Sequence, residues 1–430
     1  MKIITRLNAV SGLQLFQVIR FSGILLTSIL LAKCSINISI IGNYEKLLLI
    51  AGVFSFFWVQ GILNSLLSSY NSHAFKRVYL FNSFILISLI SAIVFGLMQL
   101  FSGSIQLLFF NGFQPGYRYL CLYIFFNSPC FLIESIYLLR QKTKSLIAYG
   151  IISACLSMAA VIIPLIQGYT VETALSFLVL WSVLRFFWLI RLLIRNATPD
   201  FRLSILKEHF FLAWPLIISY LIGGSADYID GLMATHYFGA EAFAVFRYGA
   251  REFPLSLILG NALSMAMIPF LRQTVNGELN LRDLKKHTSR LMDLVFPLSI
   301  LLLFVSKSLY PIIFDQRFTE SANIFNIYLL LAASRMVFPQ SIVLALNKNK
   351  AILVISSIEI FINIAFSYLF MLKFGIIGIA WGTVIAYCAE KFMLCAYLQM
   401  NFKISVKDYV PFTKWLVYIA LLSIGFMIVS

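Results

Sequence analysis

The chain has 430 residues, 61% of them hydrophobic and only 12% charged, with a mean hydropathy of +0.91. That excludes a soluble globular domain. The formal net charge of +16 invites a nucleic-acid reading, but the basic residues recur in short loops between apolar runs and form no single basic face. In lipid, backbone groups must pair within the segment, so spanning elements are helices or closed barrels. The runs are continuous rather than alternating, which excludes a barrel.

A helical span needs about 20 residues. Segments of that size are predicted at 9–32, 47–69, 78–101, 118–139, 145–167 and 174–194. After a basic loop at 195–209 they resume at 210–235, 243–271, 290–308, 323–345, 351–372, 376–399 and 412–429. With the N-terminus on the cytoplasmic side, the inner loops hold 21 of the 33 Lys and Arg residues and the outer loops six. That asymmetry is the positive-inside bias and sets the orientation. The other six, Arg20, Arg185, Arg247, Arg251, Arg335 and Lys391, fall inside predicted spans. No loop is large enough for a catalytic domain. The longest outer loop is expected at about 102–117, and the function is expected in what the bundle encloses, which points to transport.

The domain division expected is an N-terminal six-helix lobe (1–194), a cytoplasmic linker (195–209), a C-terminal six-helix lobe (210–399) and an additional C-terminal segment (400–430). The lobes resemble each other: ESIYLLRQKTK (134–144) and QSIVLALNKNK (340–350) align at a shift of 206 positions, each followed at once by a long apolar segment. An even number of helices per lobe makes the repeats parallel, a transporter plan with substrate held between the halves. The fold class is therefore an all-α polytopic membrane protein of two six-helix lobes. A thirteenth segment would leave the C-terminus outside or lie along the interface.

Ionisable groups inside spans are costly and are site candidates by default. The first segment carries Ser11, Gln14, Gln17 and Arg20 at three-residue steps, one polar stripe. The seventh carries Asp227 and Asp230, and the eighth carries Arg247, Arg251 and Glu252. Glu134 and Glu359 lie near inner helix ends. Guanidinium groups match phosphate oxygens in a planar fork, so Arg20, Arg247 and Arg251, with Gln14 and Gln17, are candidates for an anionic substrate. Asp227, Asp230, Glu252, Glu134 and Glu359 are candidates for ion coupling or charge pairing. The competing reading pairs Asp227 or Asp230 with Arg247 or Arg251, pairs Glu390 with Lys391, and lets Arg185 snorkel to the interface. Arg20 has no acid in its own span or the next. Gln60 and Asn64, one turn apart, are expected to join helices, and Pro129, Pro215, Pro254, Pro297 and Pro339 to kink or interrupt them.

The six cysteines show neither a CxxC nor a Cys/His cluster, so no disulfide framework, metal site or other cofactor is expected. Nor does the N-terminus read as a cleavable signal peptide. With no Walker motif, transport would draw on an ion gradient, the membrane potential or a partner.

Three stretches resemble the polysaccharide flippases of the multidrug/oligosaccharidyl-lipid/polysaccharide exporter superfamily. They are IGNYEKLLLIAGVFSFFWVQGI (41–62), HYFGAEAFAVFRYGAREFPL (236–255) and LKFGIIGIAWGTVIAY (372–387), the last with Gly375, Gly378 and Ala380. The resemblance covers about residues 1–400. It implies two lobes alternating between inward-open and outward-open, and a cargo of polyprenyl-diphosphate-linked oligosaccharide. It also implies cationic cavity residues, for which Arg20, Arg247 and Arg251 stand on matching segments. The thirteenth segment fits neither the twelve- nor the fourteen-helix form. The expectation is a monomeric, multi-pass flippase of the bacterial cytoplasmic membrane, no enzyme, with no nucleic-acid partner. Its partners would be the lipid-linked glycan, membrane lipids and glycan-assembly enzymes. The alternatives are a lipid II flippase, a cation-coupled multidrug exporter and, in another class, a membrane polysaccharide polymerase.

Overall fold

The computed structural model describes residues 9–70, 73–272 and 281–429, and within these no strand occurs. The helices in chain order are α1 (Ala9–Lys33), α2 (Ile38–Val53), α3 (Phe56–Ser69), α4 (Lys76–Leu100), α5 (Ser102–Phe110), α6 (Tyr117–Cys130) and α7 (Leu132–Leu139). They continue with α8 (Thr143–Ile166), α9 (Val171–Asn196), α10 (Leu203–Gly249), α11 (Pro254–Arg272), α12 (Leu281–Ile313), α13 (Ser321–Leu329), α14 (Ala332–Arg335) and α15 (Pro339–Ala345). The chain ends in α16 (Asn349–Phe374), α17 (Ile376–Phe402), α18 (Val406–Tyr409) and α19 (Phe412–Val429). Among the described residues ten helices are long and apolar enough to cross a membrane, and two bent pairs raise the number to twelve.

The chain divides into two compact units, Met1–Gly224 and Ser225–Ser430. The first is built on a core that includes Trp58, Ile62, Tyr79, Ile133, Tyr149 and Leu189. The second is built on Met292, Phe296, Leu329, Ile342, Leu394 and Tyr409, among others. The loop expected at 195–209 is shorter: α9 runs to Asn196 and α10 starts at Leu203. Asn82 holds the connection by donating to the Asp200 carbonyl (2.9 Å) and accepting from the Arg202 amide (3.0 Å). The segment 102–117, expected as the longest outer loop, is also not all loop, because α5 occupies most of it.

Among the described residues four of the predicted spans are broken, and the local chemistry explains each break. Between α2 and α3 the axis bends by 48°, where Ser55 Oγ donates back to the Ala51 carbonyl at 2.7 Å, a side-chain bond that bends helices. Between α6 and α7, Pro129 removes the donor that would reach the Phe125 carbonyl. Ser91 of α4 donates to that carbonyl instead, at 2.9 Å. The eighth predicted segment, 243–271, is not one helix. Its first part is the end of α10, it unwinds over 250–253, and α11 restarts at Pro254, whose missing N–H and fixed φ suit a first helical position. The tenth bends by 43° between α14 and α15, and Pro339 again opens the new helix. Pro254 and Pro339 thus start helices rather than kink them.

α10 is itself two helices joined at Gly239, with φ 79° and ψ −179°. That backbone region is open to glycine alone, and it turns the seventh segment into the eighth within the HYFGAEAF stretch. At the other motif, Gly375 (φ 64°) separates α16 from α17, and a Cβ on Gly378 would collide with the Phe370 backbone. The small residues there are what allow α16 and α17 to pack so closely.

The sequence repeat has a matching backbone. After α7, Gln141 takes φ 54° and the Lys142 amide donates to Tyr137 O at 2.9 Å. After α15, 206 positions on, Asn347 takes φ 57° and the Lys348 amide donates to Val343 O at 3.0 Å. Both are helix stops closed by one left-handed residue and a six-residue return bond. The thirteenth segment is a helix packed on α12: Lys414 Nζ reaches Asp293 at 2.6 Å, and Tyr418 stacks on Phe296 with centroids 5.0 Å apart.

Candidate functional site

In the first unit, α1 and α8 pack through small residues, with Gly23 against Ala154 and Gly150 against Phe16. This fixes the face on which the polar stripe of α1 lies. Gln14 and Gln17 are exposed. The side chain of Ser11 lies outside the described residues. Arg20 is 42% exposed at its side chain, and its Nη1 lies 3.7 Å from Glu134 Oε2, with the guanidinium 5.2 Å from the centre of the Phe131 ring. Phe131 sits in the break between α6 and α7, and Glu134 follows in the first turn of α7. The structure therefore gives Arg20 the acid that its neighbouring spans lack, and it brings two of the predicted candidates together.

Arg185 does not snorkel. It is buried, donating through Nε and Nη2 to Tyr149 Oη (2.9 and 2.6 Å) and through Nη1 to Asn127 Oδ1 (2.7 Å). Tyr149 is packed edge-on against Trp188. A neutral phenol and an amide satisfy the guanidinium without cancelling its charge, so the first unit keeps a buried cation that the sequence reading had sent to the interface.

The second unit holds a denser network. Asp230, on α10, is buried and accepts from Tyr328 Oη of α13 at 2.9 Å and from the Thr383 hydroxyl of α17 by a short bond. Glu252 lies in the unwound stretch of the eighth span and meets Arg335, the last residue of α14. Nη2–Oε1 is 2.5 Å and Nε–Oε2 is 3.1 Å. This is a two-bond fork, and the same guanidinium sits 4.5 Å over the Tyr387 ring of α17. Two helix breaks are thus tied by one ion pair. Arg247 and Arg251 are half-buried, with Arg251 5.2 Å from the Tyr248 ring centre. The side chain of Asp227 lies outside the described residues. Glu359 is buried on α16 one turn from Asn363, whose amide N and O both lack a hydrogen-bond partner among the described residues. Glu390 and Lys391 pair at 2.9 Å as expected, and Asn64 joins helices by donating to Tyr220 Oη at 2.8 Å.

Sequence reasoning left four charged side chains without the surroundings that the structure gives them. Arg185 and Arg335 were visible as in-span arginines. The predicted second span begins at 47 and leaves Glu45 and Lys46 outside it, yet α2 starts at Ile38 and buries both. Glu45 accepts from Ser28 Oγ at 3.3 Å, and Lys46 sits over the Phe110 ring. Among the described residues no group of three His, Cys, Asp or Glu side chains could hold a metal ion.

Comparison with known proteins gives this architecture a context. The lipid II flippase MurJ in an inward-closed conformation superposes with a TM-score of 0.73 at 16% identity, covering 97% of both chains. An inward-facing multidrug resistance MATE family transporter of the MOP superfamily superposes at 0.62 with 13% identity, covering 97% of this chain and 99% of that one. These likenesses show the fold alone, one shared with MurJ and with MATE family transporters. The capsular polysaccharide biosynthesis protein CapF of Staphylococcus aureus is 25% identical over 264 residues, which are 57% of this chain and 65% of that protein's length. The family model described as polysaccharide biosynthesis protein matches residues 18–323, more than half of the chain, and the chain belongs to that family.

Proposed function

We propose that this protein moves polyprenyl-diphosphate-linked oligosaccharide across the bacterial cytoplasmic membrane, for surface polysaccharide assembly. The observation that carries the reading is Arg20: a guanidinium inside a span, held only at 3.7 Å by Glu134 and still 42% exposed. A charge kept in a membrane at that cost is kept for a partner, and an open guanidinium fork fits a diphosphate. Gln14 and Gln17, exposed on the same stripe, add neutral donors for phosphate or sugar oxygens. Arg247 and Arg251 supply further positive charge beside the break of the eighth span. Breaks in the second, fourth, eighth and tenth spans support transport, since interrupted helices in corresponding positions of two halves mark transporter substrate paths. Asp230, with its Tyr328 and Thr383 donors, is the group that would couple flipping to a cation or proton gradient. In this reading the N-terminus is cytoplasmic and the protein acts as a monomer.

The test uses purified protein in proteoliposomes containing fluorescent lipid-linked oligosaccharide, with an impermeant quencher outside. Wild-type protein should expose the inner-leaflet pool at least about tenfold faster than Arg20→Ala protein, the loss of one charge-assisted fork. Equal rates for the two would remove Arg20 from the headgroup site. No acceleration over empty vesicles, with or without a proton or sodium gradient, would reject flipping of this cargo, provided the protein is shown to be folded.

A further inference from the structure

Outside the polar clusters, α7 and α9 border an open pocket of about 540 Å³ lined by Tyr137, Phe187, Trp188, Arg191, Leu192 and Arg195. Its framework is fixed. Trp188 Nε1 donates to Tyr137 Oη at 3.0 Å, and Arg140 at the end of α7 donates to the Asn196 carbonyl at the end of α9 (3.0 Å). Arg191 and Arg195 stand one turn apart and are exposed. Neither guanidinium has a hydrogen-bond or ion-pair partner among the described residues. Along the same face of α9, toward the middle of the span, Leu180, Leu184 and Phe187 are 55%, 52% and 65% exposed. At about 1.5 Å per residue, Leu180 to Arg191 rises about 16 Å, close to one leaflet's share of a hydrocarbon core about 30 Å thick.

We infer that this face is a binding site for one anionic phospholipid of the leaflet at the Arg191/Arg195 end, which the positive-inside bias makes the cytoplasmic one. The phosphate lies between Arg191 and Arg195, Trp188 closes the glycerol level, and an acyl chain follows Phe187, Leu184 and Leu180. Basic pockets between membrane helices on the cytoplasmic side are suited to such headgroups. An arginine pair offers forked donors that a zwitterionic headgroup, carrying its own ammonium, cannot use as well. The site does not depend on what the protein transports.

The experiment is native mass spectrometry of the full chain released from neutral detergent, after incubation with equal amounts of phosphatidylglycerol and phosphatidylcholine. Wild-type protein should retain one phosphatidylglycerol with about tenfold preference, from two basic groups near the membrane surface. The double variant Arg191→Ala/Arg195→Ala should lose the preference, whereas Lys348→Ala/Lys350→Ala and Arg20→Ala should keep it. A fold check by thermal unfolding accompanies each, with Arg191→Gln/Arg195→Gln as a second reading of the same charge loss. Equal retention of the two lipids, or an unchanged preference in both Arg191/Arg195 double variants, would overturn the proposal. So would full displacement of the lipid by millimolar inorganic phosphate, which would mark a site for free anions.

Discussion

Each unit ties its broken fourth span to another span by an arginine–glutamate pair, and the two pairs are built differently. In the first unit the acid is on the broken span. Glu134 meets Arg20 by a single contact of 3.7 Å, with side-chain exposures of 18% and 42%. In the second unit the base is on the broken span. Arg335 meets Glu252 in a two-bond fork, with exposures of 18% and 14%, and stacks on Tyr387. A closed fork spends both carboxylate oxygens on the fold, while the loose pair leaves donors of Arg20 uncommitted. The difference separates a structural clamp from a group available to a ligand.

The clamp should show itself most strongly. Arg335→Ala leaves the largely buried Glu252 carboxylate without its base, and for a pair that keeps some exposure the cost is expected near the lower end of the range for buried pairs, about 3 kcal/mol. The measurement is the thermal unfolding midpoint in detergent. Arg335→Met with Glu252→Met should recover most of that loss, because removing both charges leaves none uncompensated. A single variant as stable as the wild type would mean that the fork is dispensable and that the contrast with Arg20 is not one of structural role.

A second contrast lies between the turn that joins the fifth and sixth spans and its counterpart between the eleventh and twelfth. The turn between α8 and α9 has Gly168 at φ 79° with open space around it, whereas the turn between α16 and α17 is followed by Gly378 pressed on the Phe370 backbone. Gly378→Ala inserts a methyl where nothing flexible can yield, an overpacking expected to cost about 1–3 kcal/mol. Gly168→Ala meets only the left-handed backbone penalty, about 1–2 kcal/mol. Unfolding midpoints of the two variants side by side test whether the second unit is the more tightly built.

The spans were legible because lipid demands length and apolarity, and both are properties of a contiguous stretch. The segments at 78–101, 145–167 and 351–372 needed nothing else. The breaks were less legible. Ser55 reads as an ordinary polar residue until its hydroxyl is seen bonded back to Ala51, and Pro129 does not disclose that Ser91 will take over the carbonyl it frees. The eighth span read as one run because Arg251 and Glu252 were treated as polar guests of a continuous helix, although Pro254 marked where it restarts. Of the candidate site, the charges were visible and the partners were not. Arg20 with Glu134, Arg185 with Tyr149 and Asn127, and Glu252 with Arg335 are all long-range pairs, set by packing that no local pattern encodes. The 206-position repeat was the exception, since it predicted a recurring helix stop that the backbone carries at Gln141 and Asn347.

The smallest expected effect on stability is also the most informative. Arg20→Ala should change the unfolding free energy by no more than about 1 kcal/mol, since a loosely held, part-exposed ion pair contributes about that much at best, yet it should abolish export of the cognate glycan. A double-mutant cycle with Glu134→Ala isolates the pair from the rest of each side chain, and a coupling below about 1 kcal/mol is expected, against a larger one for Arg335 with Glu252. If the Arg20–Glu134 coupling matched that of the fork, the 3.7 Å contact would be a clamp like its counterpart. Loss of export in Arg20→Ala would then report a damaged fold rather than a lost headgroup contact. If the coupling is small and export still fails, the arginine's main partner is outside the polypeptide, as a diphosphate-binding residue requires.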